Sequence, residues 1–144
     1  MDHQTQAGFR EFEAFVAGAA ARLLHVATLL TAEPEGGAPA ARELLAGALA
    51  RTFADWRRLR GDDPYDHTRQ ELCAAFARSA WRYQRGRGGV LSRLRPQQRL
   101  AVVLLVYESV AEQQAAAQLG LAPERLRALR AHAEAVLRTR ERAA

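Results

Sequence analysis

The chain has 144 residues, 49% of them hydrophobic, enough for one sizeable core or two small helical modules and too few for a third domain. Its 21 basic residues, all arginine, outnumber 16 acidic ones, and a net charge of +5 with a pI near 10.5 favours an acidic partner. The one cysteine, Cys73, rules out an internal disulfide and is expected to be buried, while the apolar run 100–107 is far shorter than the ~20 residues of a bilayer span; a cytoplasmic protein with no membrane role is expected.

Three helices are predicted in the first part. Between Phe9 and Leu30 the residues Phe12, Phe15, Val16, Leu23, Leu24, Ala27 and Leu30 recur at three- and four-residue steps, the period of a helix with one buried stripe. The segment 33–39 holds two prolines and two glycines and interrupts that helix, after which Leu44, Leu45, Ala48, Leu49, Phe53 and Trp56 resume the period. At 61–64 a glycine stop is followed by a start, with Asp63 placed to cap and Pro64 suited to the first helical position; Tyr65, Leu72, Phe76, Ala80 and Tyr83 then form a stripe ending near Gln84. Residues 85–92, with Gly86, Gly88 and Gly89, read as a flexible basic link. Pro96 opens a helix through Tyr107, a second covers about 110–119, and Pro123 starts a third reaching about Arg138, beyond which the end is expected to fray. No β pattern occurs. The expected fold is all-α, with modules at 9–84 and 93–140 joined by the link at 85–92.

Charge is unevenly placed. Between Glu71 and Glu108 there is no acidic residue, yet Arg78, Arg82, Arg85, Arg87, Arg93, Arg95 and Arg99 all fall there, a one-signed run that invites a polyanion. Further on, an alanine-rich helix meets a three-residue turn containing Gly120, and a second helix opens at Pro123, the spacing of a helix-turn-helix. Ala115, Ala116 and Ala117 would let the two helices approach, with Leu119, Leu121, Leu126 and Leu129 filling the space beneath. Arg125, Arg127 and Arg130 would then be presented toward phosphates or guanine edges of a major groove. A plain helical hairpin with solvated arginines is the competing reading.

The segment Leu94 to Glu108 and the helix pair after it resemble region four of extracytoplasmic-function sigma factors. Upstream, 12–31, 48–58, Asp63-Pro-Tyr65 and 77–82 resemble region two of that family, in the right order over most of the chain. The resemblance implies a bacterial regulator of transcription initiation whose partners are duplex DNA and RNA polymerase or another transcription protein. It places Glu43, Leu44 and Arg51 at the polymerase contact and Arg78, Trp81, Arg82, Arg85 and Arg87 at a DNA-binding surface, joined by Arg125, Arg127 and Arg130. No Ser-His-Asp order, glycine-rich phosphate loop or paired catalytic carboxylates can be assembled, so no enzymatic activity, cofactor or metal is expected, and the oligomeric state is left open.

The chain also departs from the family. Glu43-Leu-Leu-Ala-Gly47 stands where the family has an acidic and amide-rich stretch, and Ala75 stands where it has a DNA-melting asparagine. Ala111 and Ala122 replace helix-capping side chains, a change that typically costs ~1 kcal/mol. The eight-residue link spans at most roughly 29 Å extended, less than one duplex turn of ~34 Å. These departures support a second reading: a divergent homologue acting as a protein-interaction module on polymerase, another sigma factor or a partner regulator.

Three smaller features remain. Asp62, Asp63, Asp66 and His67 form an acid and imidazole cluster, expected to serve the start of the third helix rather than a metal. His25 lies near the buried stripe and is expected to be a core or boundary residue. Trp56 is expected in the core, whereas Trp81 is equally suited to packing or to stacking on an unpaired base.

Overall fold

Leu23, Val26, Ala27 and Leu30, spaced three and four apart, are each at most 1% exposed, so this stripe is the axis around which the other helices pack. The computed structural model describes residues 3–143, apart from the side chains of Gln4 and 140–143, and is all-helical. The helices are α1 (His3–Thr31), α2 (Pro39–Ala54), α3 (Pro64–Arg78), α4 (Pro96–Val102), α5 (Glu112–Leu119) and α6 (Pro123–Ala143). Short 3-10 turns cover Trp56–Leu59 and Ala80–Tyr83, and a π-helical turn covers Val103–Tyr107.

The first helix starts six residues earlier than its large apolar side chains predict. Phe9, Phe12 and Phe15 meet Phe53 of α2 and Trp56 of the following 3-10 turn, with ring centroids 4.9–6.3 Å apart in this cluster, and the added residues lie against the same turn, where Arg57 Nη2 donates to Thr5 Oγ1 at 3.4 Å. By length and composition α1 is also apolar enough to cross a membrane over residues 5–31, which a search for unbroken large apolar residues overlooks because alanines fill the gaps. About 44% of its most apolar window is buried against the rest of the protein.

Two caps anchor the next helices. Asp63 accepts a hydrogen bond from the Tyr65 backbone N–H at 2.9 Å, and Pro64 takes the first helical position of α3, as expected. At α2 the residue before Pro39 is an alanine with no capping side chain, and Glu33 supplies the missing acceptor from five residues upstream: Ala40 N–H donates to its Oε2 (3.1 Å) and Ala41 N–H to its Oε1 (2.8 Å), with the Thr31 hydroxyl at 2.7 Å. Burial pushes this carboxyl up, but these three hydrogen bonds and the Arg87 charge outweigh it and hold it below its ordinary value. Between helices α2 and α3 the Thr52 and Thr68 hydroxyls bond each other at 2.7 Å.

The third helix ends at Arg78 rather than near Gln84. Ser79 Oγ turns back to the Ala75 carbonyl at 2.9 Å, and the tighter 3-10 turn after it swings Tyr83 into the core, stacked on Phe76. Likewise the helix predicted to run unbroken to Tyr107 widens at Val103, with Glu108 N–H donating to Val103 O and Val110 N–H to Leu104 O. The wider turn lets the Glu108 side chain reach Tyr65 and Arg69.

Residues 85–92 do not form a free tether. Arg87 and Gly89 both donate their backbone N–H to the Ala32 carbonyl at 3.0 and 2.9 Å, and Gly88 N–H donates to Ser92 Oγ. Leu91 and Leu94 are buried, and a single core cluster runs from Val26 and Leu30 through Leu72 and Phe76 to Leu104, Leu126 and Ala133. Gly88 adopts φ 96°, while Gly89 serves close approach: a Cβ on it would lie 2.3 Å from Glu33 O and 2.7 Å from the Ala32 carbonyl carbon. Gly89→Ala is therefore expected to destabilise the protein by about 1–3 kcal/mol in urea unfolding, whereas Gly37→Ala, with open space around it, should be near neutral. Equal midpoints for the two variants would mean that the segment is not docked.

At the far end, Gly120 adopts φ 66°, Leu121 N–H bonds Ala116 O (2.9 Å) and Gly120 N–H bonds Ala117 O (3.3 Å), the Schellman pattern that ends α5. Ala115, Ala116, Leu126 and Leu129 are buried, while Leu119 and Leu121 pack at the edge and Ala117 faces solvent instead of the partner helix. Thr139, placed by the sequence beyond the ordered end, continues α6 with its hydroxyl on the Ala135 carbonyl.

Candidate nucleic-acid interface

The basic run between Glu71 and Glu108 divides in the fold. Arg78, Arg82, Arg85, Arg87, Arg93 and Arg95 are exposed, whereas Arg99 is 0% exposed and belongs to the core. Its Nε donates to Leu94 O and its Nη1 to Leu30 O, each at 3.0 Å, so it ties the end of α1 to the start of α4. Burial, and then the nearby Arg87 charge, lower this guanidinium to about 10. Arginine is seldom buried, so its place in a basic run read as surface; only the packing of α4 against α1 turns it inward.

Trp81 sits on the 3-10 turn after α3 and is 70% exposed, with the Arg82 guanidinium 5.0 Å above its ring. Arg87 lies 5.1 Å over the Tyr83 ring and within 4.0 Å of Glu33. Trp56, expected in the core, is half-buried and packs against Phe12 and Phe15 outside the core clusters.

Helix α6 separates the three arginines predicted to act together. Arg125 shares a cleft with Gln84, Arg95, Gln97, Gln98 and His132, a lining that contains no carboxylate. Arg127, on the opposite flank of the buried Leu126 stripe, pairs with Glu112 of α5 at 3.0 Å and with Glu124 at 3.5 Å, and Arg130 pairs with Glu134 at 2.9 Å. Arg127 thus pins α5 to α6, and both side chains already carry partial counter-charge.

A second cleft of about 510 Å³ adjoins the first and shares Ala80, Pro96 and Gln97 with it. Its wall includes Arg78, Glu71, Gln118 and the apolar side chains of Leu100, Leu119 and Leu121. The Gln118 amide makes no hydrogen bond through either its oxygen or its nitrogen, although both atoms are shielded from solvent. Cys73, also in this wall, is buried as expected and its thiol is pushed up to about 12, chiefly by burial, so it is not a reactive group. Arg78, Arg95 and Arg125, from α3, the approach to α4, and α6, therefore line one continuous surface.

Comparison with protein-family models, with curated proteins and with solved structures finds no match.

Glu43, Leu44 and Arg51 do come together. They line a shallow cleft of about 180 Å³ with Ala75, Ser79, Arg82 and Tyr83. Arg82 is thus shared between this α2 surface and the Trp81 turn, while Arg51 also lies 3.9 Å from Glu71. Gln97 and Gln118 were not singled out from the sequence. Arg95 carried a signal there, as part of the one-signed run, and nothing local shows that it faces Arg125.

His25 is exposed rather than part of the core: it rotates toward Tyr107, with ring centroids 6.1 Å apart, and toward Glu35 at 3.9 Å. Asp66 turns back to Arg69 at 2.7 Å.

Proposed function

We propose that this protein is a sigma-factor-like, DNA-binding regulator of transcription acting in the bacterial cytoplasm. The observation that carries this reading is the carboxylate-free cleft where Arg95 and Arg125 converge beside three glutamines, continuous with Arg78 on α3. Guanidinium groups suit bidentate phosphate contact, side-chain amides suit base edges or sugar, and Trp81 under Arg82 offers a stacking platform nearby. Arg85 and Arg87 extend the same positive sign along the docked segment.

Duplex binding should fall steeply with salt. Arg95→Ala with Arg125→Ala is expected to lower the slope of log affinity against log salt by about 2 if each side chain neutralises one phosphate. Arg127→Ala should have a smaller effect on binding, since its partners are Glu112 and Glu124. Unchanged affinity and slope in the double variant would defeat the DNA-binding reading.

The docked segment 85–92 favours a second reading, that of a divergent homologue binding another transcription protein. Residues on both sides of it share one core, so a separation of ~34 Å between two reading modules would require that core to open. The cleft holding Glu43, Leu44 and Arg51 is then the contact surface. Co-elution with purified RNA polymerase, lost on Arg51→Glu while DNA affinity is unchanged, is the outcome this reading predicts.

A further inference from the structure

His67 lies on the second turn of α3, but its ring turns away from the aspartates near it in sequence and toward the end of α2. Its Nε2 faces Asp55 Oδ2 at 3.4 Å and Glu71 Oε1 at 4.0 Å, and one donor atom from each of the three residues falls within a 4.8 Å span. We propose that Asp55, His67 and Glu71 form a binding site for a divalent transition-metal ion of the Zn²⁺ type, and that the ion clamps the end of α2 to α3.

Three observations carry this. First, the spacing suits an ion better than a hydrogen bond. Nε2 is shielded from solvent and makes no hydrogen bond, and both carboxylates stand beyond the usual 2.7–3.2 Å. Two ligands at 2.0–2.1 Å from a tetrahedral zinc are about 3.3 Å apart, close to the 3.4 Å between His67 and Asp55. Glu71, four residues beyond His67 on the same face of α3, needs only a small side-chain movement to close its 4.0 Å gap.

Second, the oxygens not facing the imidazole each have an arginine on their far side. Arg58 donates to Asp55 Oδ1, and Arg51 lies 3.9 Å from Glu71 Oε2. The Arg58 hydrogen bond orients the Asp55 carboxylate, the role outer partners play around metal ligands, and the Arg51 charge lies on the far side of Glu71, so that Oδ2 and Oε1 are the oxygens nearest His67. Third, the donor set selects the ion. One imidazole and two carboxylates suit zinc and its neighbours, whereas calcium and magnesium take oxygen ligands alone. Three protein ligands leave a fourth position for water, and the carboxylates, with side chains 24% and 29% exposed, reach solvent.

The test uses the full chain without a histidine tag, freed of metal by chelation. Titration with Zn²⁺ by calorimetry, and with Co²⁺ by its visible absorption, is expected to show one equivalent bound, with a four- or five-coordinate cobalt spectrum. His67→Ala and Glu71→Gln should each weaken binding at least tenfold, and Zn²⁺ should raise the melting temperature of the parent protein but not of Glu71→Gln. Replacing His3, His25 and His132 together should leave the stoichiometry at one. Retained binding in both His67→Ala and Glu71→Gln, or no uptake by the parent protein, would overturn the proposal; should His67→Ala fail to fold, the Glu71→Gln titration decides alone.

Discussion

Glu108→Ala is expected to lower the unfolding free energy by about 3 kcal/mol, measured by urea denaturation, because it leaves a buried cation without its buried partner. The Glu108 side chain is 4% exposed and accepts from Tyr65 Oη (2.6 Å) and Arg69 Nη1 (3.2 Å), with Arg22 Nε at 3.4 Å. Arg69 is equally buried, and its remaining partner, Asp66, is far more exposed. That residual pair places the loss at the lower end of the roughly 3–5 kcal/mol typical of a broken buried pair. The Tyr65 phenol is raised above its ordinary value by burial and then by its hydrogen bond to Glu108, so it stays protonated as the donor.

Glu108→Gln keeps an acceptor for Tyr65 and should be less damaging. The double replacement Arg69→Met, Glu108→Leu should recover much of the loss, since an apolar pair of similar size often matches a buried ion pair. A Glu108→Ala variant within 1 kcal/mol of the parent would mean that the π-helical turn is not held to α1 and α3 by this carboxylate.

The second large effect is expected at Arg99. Arg99→Ala removes a large buried side chain, a change costing about 2–5 kcal/mol for residues of comparable bulk. It also leaves the carbonyls of Leu30 and Leu94 without this donor, at about 1–3 kcal/mol each when buried. These terms overlap, and a total loss near 4 kcal/mol is expected, lowering the melting temperature by roughly 8–16 °C for a chain of this size. Arg99→Met restores most of the volume and removes a charge that the interior disfavours, so it should lie between the parent and Arg99→Ala. The same stability for the alanine and methionine variants would show that filling the space is irrelevant there. DNA affinity should be unaffected in any folded Arg99 variant, which separates this arginine from Arg95, only four residues away.

Features encoded within a few residues were legible from the sequence. Asp63-Pro64 starts α3, Pro96 and Pro123 open α4 and α6, and Gly120 ends α5, because each acts through its own backbone angle or the nearest unpaired N–H groups. Helical periodicity likewise identified the buried stripe of α1 through Leu23, Ala27 and Leu30. The prediction that carried the third helix to Gln84 ran too far, because Tyr83 stacks on Phe76, and the helix that does reach Tyr107 widens at Val103, where Glu108 meets Tyr65 and Arg69.

The sequence by itself determined the helical class, most of the helix starts and the excess of arginine available for an acidic partner. What each arginine does was decided by the tertiary structure alone. Arg99 fills the core, Arg69 meets a carboxylate 39 residues away, Arg127 pins α5 to α6, and Arg95 and Arg125 are left facing solvent in one cleft. Asp55 and His67 likewise meet only because α2 and α3 pack side by side. A guanidinium has the same local propensity in all these settings, and its role follows from which distant groups the packing of α1 places within reach.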